Sequence, residues 1–144
     1  MEYDITKNGV ISVMENMLRN CPLNMVYYNV VFTDKEMVID YLIKSYRTWI
    51  LHVRPVKEFE YDGMNADDIL KKSSENFTIK YEDIEKIVFK KRTFLTNARI
   101  EINAKGLDEK LVLFSKDRID TEAYYNLVKS YLKEKAEFRE RLQN

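Results

Sequence analysis

Apolar and polar positions alternate through much of the chain. In NFTIKYEDIEKIVFKKR, Phe77, Ile79 and Tyr81 recur at every second position, and a turn-like Glu82-Asp83-Ile84 follows. Ile87 and Phe89 then face one way and Val88 the other, the period of a strand. ARIEINA sets Ile100 and Ile102 between Arg99 and Glu101, KGLDE reads as a turn, and KLVLFSK resumes the run. Together they predict consecutive antiparallel strands.

Upstream, MVYYNVVFTDKEMVIDYLIKSY reads as two β-rich runs around a turn at Thr33, Asp34 and Lys35. On the second run Met37, Ile39, Tyr41 and Ile43 make a cleaner core face than Val38, Asp40, Leu42 and Lys44. VISVMENML fits both alternation and a helical stripe; the strand reading is preferred, with a break at Pro22. RTWILHVRPVKEFEY predicts a third strand that ends, bulges or becomes an edge near Pro55. NADDILKKSS predicts a short helix near residues 66–73. Asn65 caps it, Asp67 and Asp68 complement the helix dipole in its first turn, and Lys71 and Lys72 do so near its end.

The last segment carries the strongest helical pattern. Asp120 is placed to cap it, Ile119 and Tyr124 have the spacing of a hydrophobic staple, and Tyr124, Leu127, Val128, Tyr131 and Leu132 form a stripe. Beyond Lys133, Phe138 and Leu142 keep helical spacing and Glu137 is placed to pair with Arg141. This reading extends the helix into turns that are solvated or touch a partner.

Composition narrows the function classes. A chain of 144 residues with 24 basic and 24 acidic side chains is expected to form a single domain over 1–144, and it lacks the overall field that draws a protein onto nucleic acid. Any electrostatic site must therefore be local. Cys21 is the single cysteine, so no internal disulfide and no cysteine-rich zinc site is expected. No apolar run reaches the roughly 20 residues of a membrane span and residues 1–20 lack a signal-peptide pattern, which predicts a soluble, cytoplasmic chain. Three glycines and two prolines leave no Gly-rich phosphate cradle. No cofactor is expected.

Three stretches resemble the pleckstrin-homology-like superfold, in local pattern its GRAM-type and bacterial branches. VVFTDKEMVI is similar to a strand-turn-strand signature, FTIKYEDIEKIVF to a later strand entry, and ARIEINAKGLDEKLVLFSKDRIDTEAYYNLVKSYL to the last two strands and helix. They cover residues 26–45 and 76–132; the stretch from Ser45 to Ser74 departs from the pattern as an aromatic-rich insertion. The resemblance implies an α+β fold, a partly open antiparallel β-barrel or two-sheet sandwich closed by a C-terminal amphipathic helix. It implies a binding or assembly module and names no ligand.

The candidate sites are few. Lys90, Lys91 and Arg92 fall where the strand pattern must fray, because Lys91 would otherwise follow Ile87 and Phe89 toward the core. With Arg99 opposite, they form a basic hairpin tip able to hold an anionic group, or a charged tip that protects a sheet edge. Lys86, Lys90 and Arg92 imitate the spacing of basic residues in lipid-binding relatives. They lie on a different hairpin, so that role is not transferred. Tyr46, Trp49, Phe59 and Tyr61 are the candidate partner contacts, with core packing as the alternative. His52, Cys21 and the Asp67–Asp68 pair carry no catalytic motif.

The leading reading is a non-catalytic interaction module that binds protein partners or self-associates. Its surface would be residues 46–61 or the groove between an edge strand and the C-terminal helix. The alternative is membrane-surface or phosphate-headgroup binding through the basic tip. Anionic lipid is thus a second partner class, and no nucleic acid is expected.

Overall fold

The structure, a computed structural model, describes residues 9–46, 61 and 63–140, with 43–46 described through their backbone. It divides into two compact units between Ile79 and Lys80. Strands dominate each, so the α+β class stands in its coarse form.

In the first unit β1 (Val10–Asn20), β2 (Asn24–Thr33), β3 (Glu36–Tyr46) and β4 (Phe77–Lys80) lie in the order β4-β3-β2-β1. The ambiguous VISVMENML segment is strand. It carries a bulge between Met14 and Met17, where Asn16 takes a φ of 56°. The β2–β3 turn falls at Asp34 and Lys35, and Thr33 holds it by accepting the Glu36 N–H at 3.0 Å and donating to the Glu36 carbonyl at 2.7 Å. Helix α1 (Ala66–Leu70) is capped as expected: Asn65 Oδ1 accepts from the Asp68 N–H at 2.9 Å and Asp68 Oδ2 from the Asn65 N–H at 3.0 Å.

One expectation for β3 needs correction. Val38, Asp40 and Leu42 are buried as well as Met37 and Ile39, so the strand is covered on both faces. Tyr61 and Ile69 pack with Val10, Val13, Val31 and Val38 in one cluster, which supplies the second cover. The strand expected within residues 47–60 lies outside the described residues.

The second unit opens with a 3-10 turn at Tyr81–Asp83. It continues through β5 (Ile84–Lys90), β6 (Ala98–Ala104) and β7 (Leu111–Ser115) to helix α2 (Thr121–Leu132) and strand β8 (Ala136–Arg139). β5, β6 and β7 form the expected antiparallel meander, and the strand order is β7-β6-β5-β8. Ile87, Phe89, Ile100, Ile102, Leu113 and Val128 are fully buried. Asp120 caps α2 through the Ala123 N–H at 3.1 Å.

The helical reading beyond Lys133 is overturned. Lys133 takes a φ of 54°, a 3-10 turn follows, and Ala136–Arg139 pairs parallel to β5, so the sheet is not wholly antiparallel. Alternation explains the change. Phe138 pairs in register with Phe89 and its ring lies 5.7 Å from that of Tyr125, burying apolar surface that a continuing helix would leave in water. Glu137 meets Lys86 at 2.9 Å and also bonds Arg139; Arg141, its expected partner, lies outside the described residues.

Candidate binding tip and two saturated polar clusters

The β5–β6 connection is a tight, internally bonded turn. Thr93 N–H donates to the Thr96 carbonyl at 3.0 Å, and Thr93 Oγ1 accepts from the N–H groups of Leu95 at 3.2 Å and Thr96 at 3.0 Å. The two threonine hydroxyls lie 2.8 Å apart. Such side-chain bonds replace a backbone turn and fix which way the middle residues point. Phe94 and Leu95 point outward, 96% and 78% exposed. Leu23, in the β1–β2 turn, is the other large apolar residue so exposed among the described residues.

Lys91 and Arg92 precede this pair and are exposed. The Lys91 N–H donates to the Arg139 carbonyl at 2.8 Å, and Arg92 Nη1 donates to the Lys116 carbonyl at 3.3 Å. Because Ser115 pairs with Ala98, the loop that begins at Lys116 leaves the sheet at the same end. The tip therefore joins two cations and two apolar side chains on one short turn.

Lys90 and Arg99 do not join them. They face each other across the ladder, yet both turn to Glu101, with Lys90 Nζ at 2.7 Å and Arg99 Nε at 3.2 Å from Oε2. Lys110 closes the cluster at 3.0 Å on Oε1. Lys90 shares its strand face with Val88, the register partner of Glu101, and the carboxylate offsets the cost of burying the lysine there. Burial opposes ionisation of Glu101, but hydrogen bonds from Lys90 and Lys110 outweigh it and hold the carboxyl below its ordinary range. Of the four basic candidates, two are committed to this cluster.

The first unit holds a second polar cluster that was not anticipated. Asp40, 1% exposed, accepts at Oδ2 from the Tyr61 hydroxyl at 2.6 Å and Lys72 Nζ at 3.0 Å, and at Oδ1 from Asn76 Nδ2 at 2.8 Å. Asn76 Oδ1 accepts the Tyr41 N–H at 2.7 Å, while its Nδ2 also reaches the Ile69 carbonyl at 2.8 Å. On the other side Asn29 Nδ2 donates to the Tyr61 oxygen at 2.9 Å, and Asn29 Oδ1 accepts the bulge N–H of Asn16 at 3.0 Å. Lys72 Nζ also stands 5.0 Å over the Tyr61 ring.

Tyr61, expected at a partner surface, is thus a core residue at 1% exposure, and burial first, then its bond to Asp40, pushes its phenol above the ordinary range. Both Asp40 oxygens are used, so the cluster braces strands against α1. The sequence signal was Asp40 itself, set between Val38 and Leu42 on a strand face. Trp49 and Phe59 lie outside the described residues, as does His52, and Tyr46 is described through its backbone. Among the described residues no group of three or more His, Cys, Asp or Glu is arranged to hold a metal ion. No described helix is long and apolar enough to cross a membrane.

Fold and tip define a strand-rich α+β chain with an amphipathic hairpin end. No protein-family model matches the sequence, and no curated protein matches it. Among solved structures the chain is similar to the C-terminal domain of an unknown protein from Leishmania infantum, at 15% identity over 90% of each chain with a TM-score of 0.50. It is also similar to the hSac2 domain from human phosphoinositide phosphatase Sac2, at 10% identity over 94% of this chain and 78% of that one, with a TM-score of 0.50. At these identities the likeness concerns the fold alone.

Proposed function

We propose that the chain is a non-catalytic interaction module of pleckstrin-homology-like architecture that docks on an anionic membrane surface through the β5–β6 tip. The observation that carries this reading is the exposed pair Phe94 and Leu95 held beside Lys91 and Arg92. Aromatic and aliphatic side chains gain by leaving water at the headgroup boundary, and each Lys or Arg near anionic lipid adds about 1 kcal/mol. Lys116 and Arg118 raise the basic count of the sequence segments 91–97 and 116–118 to four cations against the single carboxylate of Asp117. The charge is local in a chain that is neutral as a whole. The two saturated clusters support a non-catalytic reading, because their charged and polar groups are spent on each other.

Co-sedimentation with phosphatidylcholine vesicles, with and without phosphatidylserine, tests the proposal. Binding is expected to phosphatidylserine vesicles at low salt and to weaken as ionic strength rises to about 0.15 M, where the Debye length is about 8 Å. F94S/L95S and K91E/R92E are each expected to abolish it. Absence of binding at low salt, or equal binding by these variants, would overturn the proposal. Sedimentation equilibrium without lipid covers the rival occupant: self-association that depends on Phe94 would assign the tip to a second copy.

A further inference from the structure

β8 has β5 on one side and, among the described residues, no strand on the other. The pairing is parallel, and the Arg139 carbonyl faces the Lys91 N–H. In a parallel ladder a residue turns both its backbone groups to one neighbour, and the next residue turns its own the other way. Glu137 and Arg139 therefore serve β5, while Ala136 and Phe138 present their backbone groups at the outer edge. Charges that commonly guard such an edge are engaged here, since Glu137 is bonded to Lys86 and to Arg139.

An open cleft of about 710 Å³ lies beside the start of this strand. Tyr125, Lys129, Ser130 and Lys133 line it from the α2 side, and Ala136 lines it from β8. Tyr125 is fixed there by packing against Phe138 and Phe89, at 5.7 and 6.1 Å between ring centres. Lys129 Nζ stands 5.5 Å over the same ring, and Glu134 is the one acidic residue of the lining against Lys129 and Lys133.

We infer that the outer edge of β8 and this cleft form a docking site for an extended, acidic peptide strand of a protein partner. Backbone pairing to Ala136 and Phe138 sets the register. Every second side chain of the added strand then faces the cleft, so the carboxylates of an acidic alternating strand meet Lys129 and Lys133 while its apolar side chains lie on the opposite face. This site does not depend on lipid binding at the hairpin tip.

The experiment uses the full chain and fluorescein-labelled peptides of alternating Glu and Val, alternating Lys and Val, and the Glu-Val peptide N-methylated at alternate peptide nitrogens. Saturable anisotropy is expected with the Glu-Val peptide alone, together with amide shifts at Ala136 and Phe138 in heteronuclear spectra. K129E/K133E is expected to weaken binding about tenfold or more. Both lysines are exposed, so the variant is expected to keep its thermal midpoint. Equal binding of the N-methylated peptide would reduce the effect to charge attraction and overturn strand docking. Absence of binding to the unaltered chain, or amide shifts confined to other strands, would overturn it as well.

Discussion

Asn29 and Asp40 are register partners across the β2–β3 ladder, and the Tyr61 hydroxyl joins them, accepting from Asn29 at 2.9 Å and donating to Asp40 at 2.6 Å. One oxygen thus ties two strands to a residue that arrives from elsewhere in the chain. Tyr61→Phe leaves a buried amide donor and a buried carboxylate oxygen each short of a partner, at a cost of about 1–3 kcal/mol. Asp40→Ala is expected to cost at least as much, because Asn76 and Lys72 each lose one acceptor as well. Urea unfolding of the two single variants and the double variant should show a coupling of about 0.5–3 kcal/mol. Simple additivity would mean that the hydroxyl and the carboxylate do not act together.

The same hydroxyl sets an alkaline limit. Burial, then the bond to Asp40, raises the Tyr61 phenol above the ordinary value of about 10. A group whose folded pKa lies above its unfolded pKa contributes stability below the unfolded value and loses it as pH rises toward the folded one. Absorbance at the phenolate band should therefore show the Tyr61 step appearing only as the chain unfolds. Tyr61→Phe should remove that step and flatten the loss of stability above about pH 10.

Glu101 sets the acid limit, with the opposite sign. Its folded carboxyl lies below the unfolded range, since the Lys90 and Lys110 bonds outweigh burial. Its contribution is present above about pH 4.3 and is lost as pH falls through the folded pKa. Glu101→Gln should shrink the slope of unfolding free energy against pH in that window. At neutral pH it should cost about 3 kcal/mol, because Lys90, its side chain 10% exposed, loses its carboxylate partner. E101L/K90M, which removes the buried pair together, should recover most of that loss.

Lys133 takes φ 54° and ψ −125°, a backbone region that suits glycine and strains a residue with a Cβ. Lys133→Gly is expected to raise stability by about 1 kcal/mol, strain relief exceeding the added freedom of the unfolded chain. The urea midpoint checks the sign. A lower midpoint would show that the lysine side chain contributes more than its backbone costs.

F94S/L95S is expected to leave the thermal midpoint and the urea midpoint unchanged. Both side chains are in water already, and the turn is closed by Thr93 and Thr96. A loss of stability would show that the pair packs against the protein in solution.

Local signals were legible in the sequence where one stretch of chain decides the outcome. The Thr33–Lys35 turn, the caps Asn65 and Asp120, and the β5–β6–β7 meander all follow from neighbours within a few residues. Asp40 was not legible as a hub, because its partners Tyr61, Lys72 and Asn76 stand 21, 32 and 36 residues away. Lys90 reads from sequence as part of a solvated tip for a similar reason: its carboxylate is on the next strand. β8 failed differently. Phe138 fits a helix through Leu142 and a strand through Ala136, and only the exposed edge of β5 decides between them. Phe94 and Leu95 stand beside the basic triplet, and two threonines bracketing two apolar residues is the turn signal that marks them.

The threonine-closed turn has a consequence for how this hairpin can change. Its shape is held by Thr93 and Thr96, whereas whatever meets the outside is set by positions 94 and 95. Frame and contents are separate. Substitutions at those two positions can drift, or be chosen by an engineer, without renegotiating the fold, which makes the tip an exchangeable cassette on a fixed holder.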